Sequence, residues 1–77
     1  MTIDHAYERR LQAIAEELRS IRRKPPFKTT RRGMADYLGE TLEAYRLAED
    51  GEWTTGLAGG ILEKAKAKRD ELRESFL

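Results

Sequence analysis

Five apolar side chains near the start of the chain, Tyr7, Leu11, Ile14, Leu18 and Ile21, recur at spacings of 4, 3, 4 and 3 residues. That interval follows the 3.6-residue turn of an α-helix and is incompatible with the two-residue alternation of a strand. It draws a narrow apolar seam that must be covered by another surface. The seam ends at Pro25-Pro26, because Pro25 forces Lys24 away from helical backbone geometry. Asp4 is the expected cap at its start, and Arg22, Arg23 and Lys24 suit the negative C-terminal end of the helix dipole.

Two more helices follow from the same periodicity. Met34, Tyr37, Leu38, Leu42, Tyr45 and Ala48 form a wider stripe over about residues 31–49, as expected of a middle helix that touches both neighbours. Thr29 or Thr30 can cap its start, and Gly51 can supply a left-handed residue at its end, while Gly33 and Gly39 weaken its interior. Ile61, Leu62, Ala65, Leu72 and Phe76 mark the buried side of a third helix over about residues 56–75, capped by Thr54 or Thr55. Short links make consecutive helices antiparallel. The expected fold is therefore all-α, a small three-helix bundle with helices at about 4–23, 31–49 and 56–75, in one domain over residues 1–77.

Composition agrees. The 77 residues contain no Val and no Cys, and Leu, Ala, Glu, Arg and Lys dominate. Such a chain favours helices and starves strands of β-branched residues. Without Cys there is no disulfide or thiolate chemistry, and a cytoplasmic setting fits. No apolar run approaches membrane-spanning length, and the polar N-terminus does not read as a signal peptide. Large apolar or aromatic side chains number 21, which is a thin core for a lone monomer, so a second copy or another partner is expected. One dimer model pairs the first helix in parallel with its copy, with Glu17 and Arg22 at complementary heptad positions.

The net charge of +1 conceals a strong segregation. Residues 22–32 sum to +6 with no acid, and residues 33–52 sum to −5. The basic run RRKPPFKTTRR holds Arg22, Arg23, Lys24, Lys28, Arg31 and Arg32 around Phe27. Arg31 and Arg32 sit at the positive start of the second helix, where a cation is mildly unfavourable, so something else must hold them. Pairing of Arg32 with Asp36 one turn on is one answer. An anion-binding corner is the other.

Chemistry is poorly provided for. There is one His, and the two Ser lie outside any nucleophile motif. His5 and Glu8 are too few ligands for a closed metal site. The Gly56-x-x-Gly59-Gly60 run lacks the lysine of a phosphate loop and reads as a tight helix start. No catalytic, cofactor or metal residues are nominated, and the chain is not expected to be an enzyme. Trp53, flanked by acids, reads as a lid over one end of the bundle or as an exposed anchor.

The expectation is a non-catalytic protein-binding module, a regulator, adaptor or inhibitor that occludes a partner's acidic surface. Its contact residues would be Arg22, Arg23, Lys24, Phe27, Lys28, Arg31, Arg32 and Trp53. Small size, split charge and missing chemistry suit a host-modulating protein of a phage or mobile element. The alternative is a nucleic-acid regulator contacting phosphates through residues 22–32. It is disfavoured by a pI near 8 and by the adjacent acidic segment.

Overall fold

The structure is a computed structural model and describes residues 5–75. It is all-helical, with four helices: α1 (His5–Arg23), α2 (Arg31–Leu38), α3 (Leu42–Glu49) and α4 (Thr55–Glu74). The cap expected at Asp4 and the contact expected of Phe76 fall outside the described residues.

The middle helix is thus two helices. Gly39 adopts φ +67°, and its neighbour Glu40 donates its N–H to Ala35 C=O at 2.9 Å. This left-handed ending closes α2 before the chain can continue. Thr41 then caps α3, its hydroxyl accepting the Ala44 N–H at 3.1 Å. Thr30 and Thr54 cap α2 and α4 in the same way, through the Gly33 and Leu57 amides. The left-handed residue expected at Gly51 is present, with φ +70°.

The break changes which residues meet. In one straight helix Arg31 and Glu49 would lie about 27 Å apart. They are instead hydrogen-bonded at 3.2 Å, so α2 and α3 fold back into a short helical hairpin. Met34, Ala35, Leu38, Tyr45 and Ala48 face inward, whereas Tyr37 and Leu42, both on the apolar stripe, remain exposed.

α1 and α4 lie side by side in the same direction. Ala6 and Tyr7 share a recess with Thr55 at one end, and Ile21 and Lys24 share one with Arg69 and Arg73 at the other. Between them Lys66 reaches Glu17 at 3.4 Å. The core is built from Leu11, Ile14, Ala15, Leu18 and Ile21 of α1, the inward residues of the hairpin, and Ala58, Ile61, Leu62 and Ala65 of α4. From Leu11 to Ile21 the α1 seam is taken up inside this bundle, which leaves only exposed Tyr7 of the seam for the parallel pairing with a second copy. Its flanking Glu17 and Arg22 are engaged within the chain. Among the described residues no helix is long and apolar enough to cross a membrane.

Two glycine substitutions should move stability in opposite directions. A Cβ at Gly39 meets no atom within 4 Å, so Gly39→Ala carries only the left-handed backbone penalty and should cost about 1 kcal/mol. Gly59 lies inside α4 with equally open surroundings, and Gly59→Ala should add about 0.5–1 kcal/mol. Urea midpoints of the two variants check the pair.

Candidate functional site

The basic run folds into a corner between α1 and α2. Lys24 C=O accepts the N–H groups of both Phe27 and Lys28, at 3.1 and 3.0 Å, and Thr29 N–H reaches back to Arg22 C=O at 3.1 Å. These bonds wind residues 24–29 into a tight turn with Lys28 at φ 39°. Phe27 is buried at 5% exposure and meets Tyr37 edge to face, with centroids 5.2 Å apart. It is therefore a core residue, and its expected place in a contact surface is corrected: its ring is occupied by the protein itself.

The six cations of the run divide into two sets. Arg22 and Arg31 turn inward onto Glu49, whose side chain has 0% exposure. Arg22 donates from Nε to Glu49 Oε2 at 2.9 Å and from Nη2 to Oε1 at 2.8 Å, a bidentate pair. Its Nη1 also donates to Thr29 C=O at 3.0 Å, tying the turn to α3. Arg31 donates to Glu49 Oε1 at 3.2 Å and to Asp50 Oδ1 at 3.0 Å. Arg19 adds a bond to the Glu49 backbone carbonyl at 3.0 Å, at the negative end of α3. Arg46 flanks the cluster, 3.3 Å from Asp50.

Burial by itself would raise the pKa of Glu49. The Arg22 hydrogen bonds, the nearby Tyr45 hydroxyl and the charge of Arg31 outweigh it and hold the carboxyl below its ordinary range. Arg22 is shifted up, chiefly by its bonds to Glu49 and against its own partial burial. Burial, followed by the neighbouring carboxylate, pushes the Tyr45 phenol far above its usual value, so it stays protonated. Its hydroxyl is close enough to feel the carboxylate but has no hydrogen bond of ordinary geometry among the described residues.

The other four cations, Arg23, Lys24, Lys28 and Arg32, are exposed and make no ion pair among the described residues. The Arg32–Asp36 pair that the spacing offers is not formed. Intramolecular pairing does hold Arg31, but through the end of α3. Trp53 is half-buried against the core, the position of a lid, and it also walls a recess of about 230 Å³ beside Gly56, Leu57 and Gly60. The structure thus gathers Arg23, Lys24, Lys28 and Arg32 on one corner, commits Arg22, Arg31 and Phe27 to the fold, and sets Trp53 apart near the start of α4. Glu49, Asp50 and Arg19 carry no local sequence signature that marks them out. The signal that could have found the acids was Arg31 itself, a cation at the wrong end of a helix dipole.

Removing the buried carboxylate leaves two guanidiniums without their counter-charge. Glu49→Gln should cost about 3–5 kcal/mol, seen as a lowered melting temperature by circular dichroism at neutral pH. The pH dependence follows from the lowered pKa. Glu49 contributes its stability above the ordinary glutamate range, and that contribution disappears as pH falls through the depressed native value. The wild-type melting temperature should therefore fall on acidification, with a shallower acid limb in Glu49→Gln.

Comparison of the chain with protein-family models, curated proteins and solved structures finds no match.

Proposed function

We propose that this chain is a non-catalytic protein-binding module whose contact surface is the α1–α2 corner, and that it acts by covering an acidic patch on another protein. The observation that carries this reading is the division of the basic run. Two cations are neutralised by Glu49 and Asp50, and Arg23, Lys24, Lys28 and Arg32 remain exposed and unpaired among the described residues. The turn that presents them is held rigid by its own hydrogen bonds and by the buried Phe27 ring. A preorganised surface loses little freedom on association. Exposed charges of this kind set encounter rate and selectivity more than they add affinity. Trp53 is a second contact residue if the partner extends towards α4.

A second reading, contact with nucleic-acid phosphates, draws on one observation. Lys24 lines a recess of about 240 Å³ together with Ser20, Arg69 and Arg73, so the positive surface continues onto the end of α4. Glu17 also lines it, and Asp70 lies 3.5 Å from Arg69, which offsets part of that charge. The protein-binding reading is the stronger of the two.

Neutralising Arg23, Lys24, Lys28 and Arg32 together with Gln should leave helicity unchanged and abolish co-purification of a specific protein from native lysate. Arg31 is left intact because it supports Glu49. Retention of the same captured protein by the neutralised variant would remove the corner as the interface. For the nucleic-acid reading, binding should fall roughly 10³-fold or more between about 50 and 200 mM salt. No shift of DNA or RNA at the lower salt excludes it.

A further inference from the structure

Arg69 and Arg73 stand one turn apart on the same face of α4, a spacing at which like charges repel. Ser20 lies in the last turn of α1, and Lys24 directly follows that helix. All four line one recess of about 240 Å³ between the two helices, with Ile21 and Pro25 as its apolar side. Three cations from two parts of the chain are thus gathered onto one small volume.

Helix dipoles explain only part of this. A cation beside the last turn of a helix meets its negative end, which suits Lys24 and Arg73. Arg69 lies five residues before the end of α4, outside the turn where that effect acts. Acids of the chain do not account for it either. Glu17 lines the recess but is 3.4 Å from Lys66, and Glu71 is 3.4 Å from Lys68. Asp70 Oδ1 stands 3.5 Å from Arg69 Nε, yet that Nε is buried and has no hydrogen-bond partner among the described residues. The Arg69 side chain as a whole is 27% exposed, so its guanidinium still reaches the recess. A buried donor left unbonded is costly, and it marks a place where an acceptor belongs. Lys24 and Arg73 make no ion pair among the described residues.

We infer that this recess binds a terminal phosphate, a phosphomonoester dianion, held by Lys24, Arg69 and Arg73 with the Ser20 hydroxyl as a further donor. Such a group carries close to two negative charges and three strong acceptor oxygens. The donors converge from two helices, which suits oxygens arranged around a tetrahedral centre. A planar carboxylate is satisfied by one guanidinium fork and would leave the other cations without a counter-charge. A backbone phosphodiester carries a single charge, so this site differs from the phosphate contacts of a nucleic-acid duplex. Arg69 turns about its own side-chain torsions to present Nε and Nη2 as a fork, and the unbonded donor gains its acceptor. The recess shares Lys24 with the α1–α2 corner but requires no protein partner, so it does not rest on the protein-binding reading.

The test follows the Arg69 side-chain N–H of the full chain by proton–nitrogen correlation NMR. Phenyl phosphate should shift the Arg69 Nε–H resonance and the Ser20 amide together and saturably, with one dissociation constant. Dimethyl phosphate and benzoate, at equal ionic strength, should bind about 10-fold more weakly or worse. Arg73→Gln should weaken phenyl phosphate about 10-fold or more, with the amide spectrum away from the recess unchanged. Arg69→Lys keeps the charge and the stem but loses the fork, and should weaken binding to a similar degree. Inorganic phosphate and an acetylated phosphoserine amide, titrated in the same way, separate a free ion from a phosphorylated side chain by which binds more tightly. A shift that never saturates, or one equalled by benzoate or dimethyl phosphate, reports general screening and overturns the inference. So does saturable binding that survives both Arg73→Gln and Arg69→Lys, which would place the anion elsewhere. Partner capture through the corner uses neither Arg69 nor Arg73, so its outcome is independent of this titration.

Discussion

The carboxylate of Glu49 is shut away from solvent between two guanidiniums, and the arrangement of the whole bundle depends on it. It is the last residue of α3, yet it binds α1 through Arg22 and the start of α2 through Arg31. Arg22 carries the connection on to Thr29, so one guanidinium joins α1, the following turn and the end of α3. A charge buried this deeply is tolerable only when it is paired and hydrogen-bonded. Replacing such a cluster by apolar side chains of equal volume is often neutral or stabilising, so its value lies less in net stability than in selection among arrangements. Apolar residues such as Leu18 and Ile61 pack against many neighbours at similar gain. Glu49 finds both guanidiniums in one arrangement of the α2–α3 hairpin.

That distinction explains which features could be read in the chain and which could not. Helix limits depend on local chemistry, and they were legible: the prolines after α1, the threonine caps, the left-handed Gly51. Phe27, expected in the contact surface, is instead buried against Tyr37, a contact between two elements that no local signal announces. The split between α2 and α3 was hidden because the apolar spacing from Met34 to Tyr45 runs across it without interruption. A continuing stripe argues for one helix, while Gly39 followed by Thr41 argues for a stop and a restart. The stop-and-restart pair prevailed, since a left-handed glycine and a threonine cap satisfy the orphan backbone groups that the break creates. Tyr37 and Leu42, next to the break, are the stripe residues left exposed.

The role of Glu49 had no local signature. Its principal partner lies 27 residues away in the chain, and no periodicity connects them. In a sum over residues 33–52 it is one acid among several, indistinguishable from the exposed Glu43. Segment sums describe how charge is spread along the chain, whereas interaction depends on how it is spread in space. Folding lays part of the acidic segment against part of the basic run and cancels both. The corner that remains is smaller than the sequence suggested and better defined, with Lys24 and Lys28 on a turn fixed by its own hydrogen bonds and Arg23 and Arg32 on the helix ends beside it.

The same bookkeeping of covered and uncovered surface bears on how complete the chain is alone. α1 exposes its first turns but buries its seam through the middle and end, against both the hairpin and α4. α4 is as long, carries three glycines in its first half, and buries four residues. By intrinsic propensity it is the weaker of the two long helices, and helices in proteins are held mainly by packing of their apolar face. Beyond Ala65, where Leu72 packs only partly against the core, α4 therefore has the least holding it in place. A surface laid along its outer face would supply the missing packing where intrinsic propensity and burial both fall short. Any surface that covered α4 would stabilise the native chain by mass action, and a chain with so small a core would gain proportionately more from that than a larger domain.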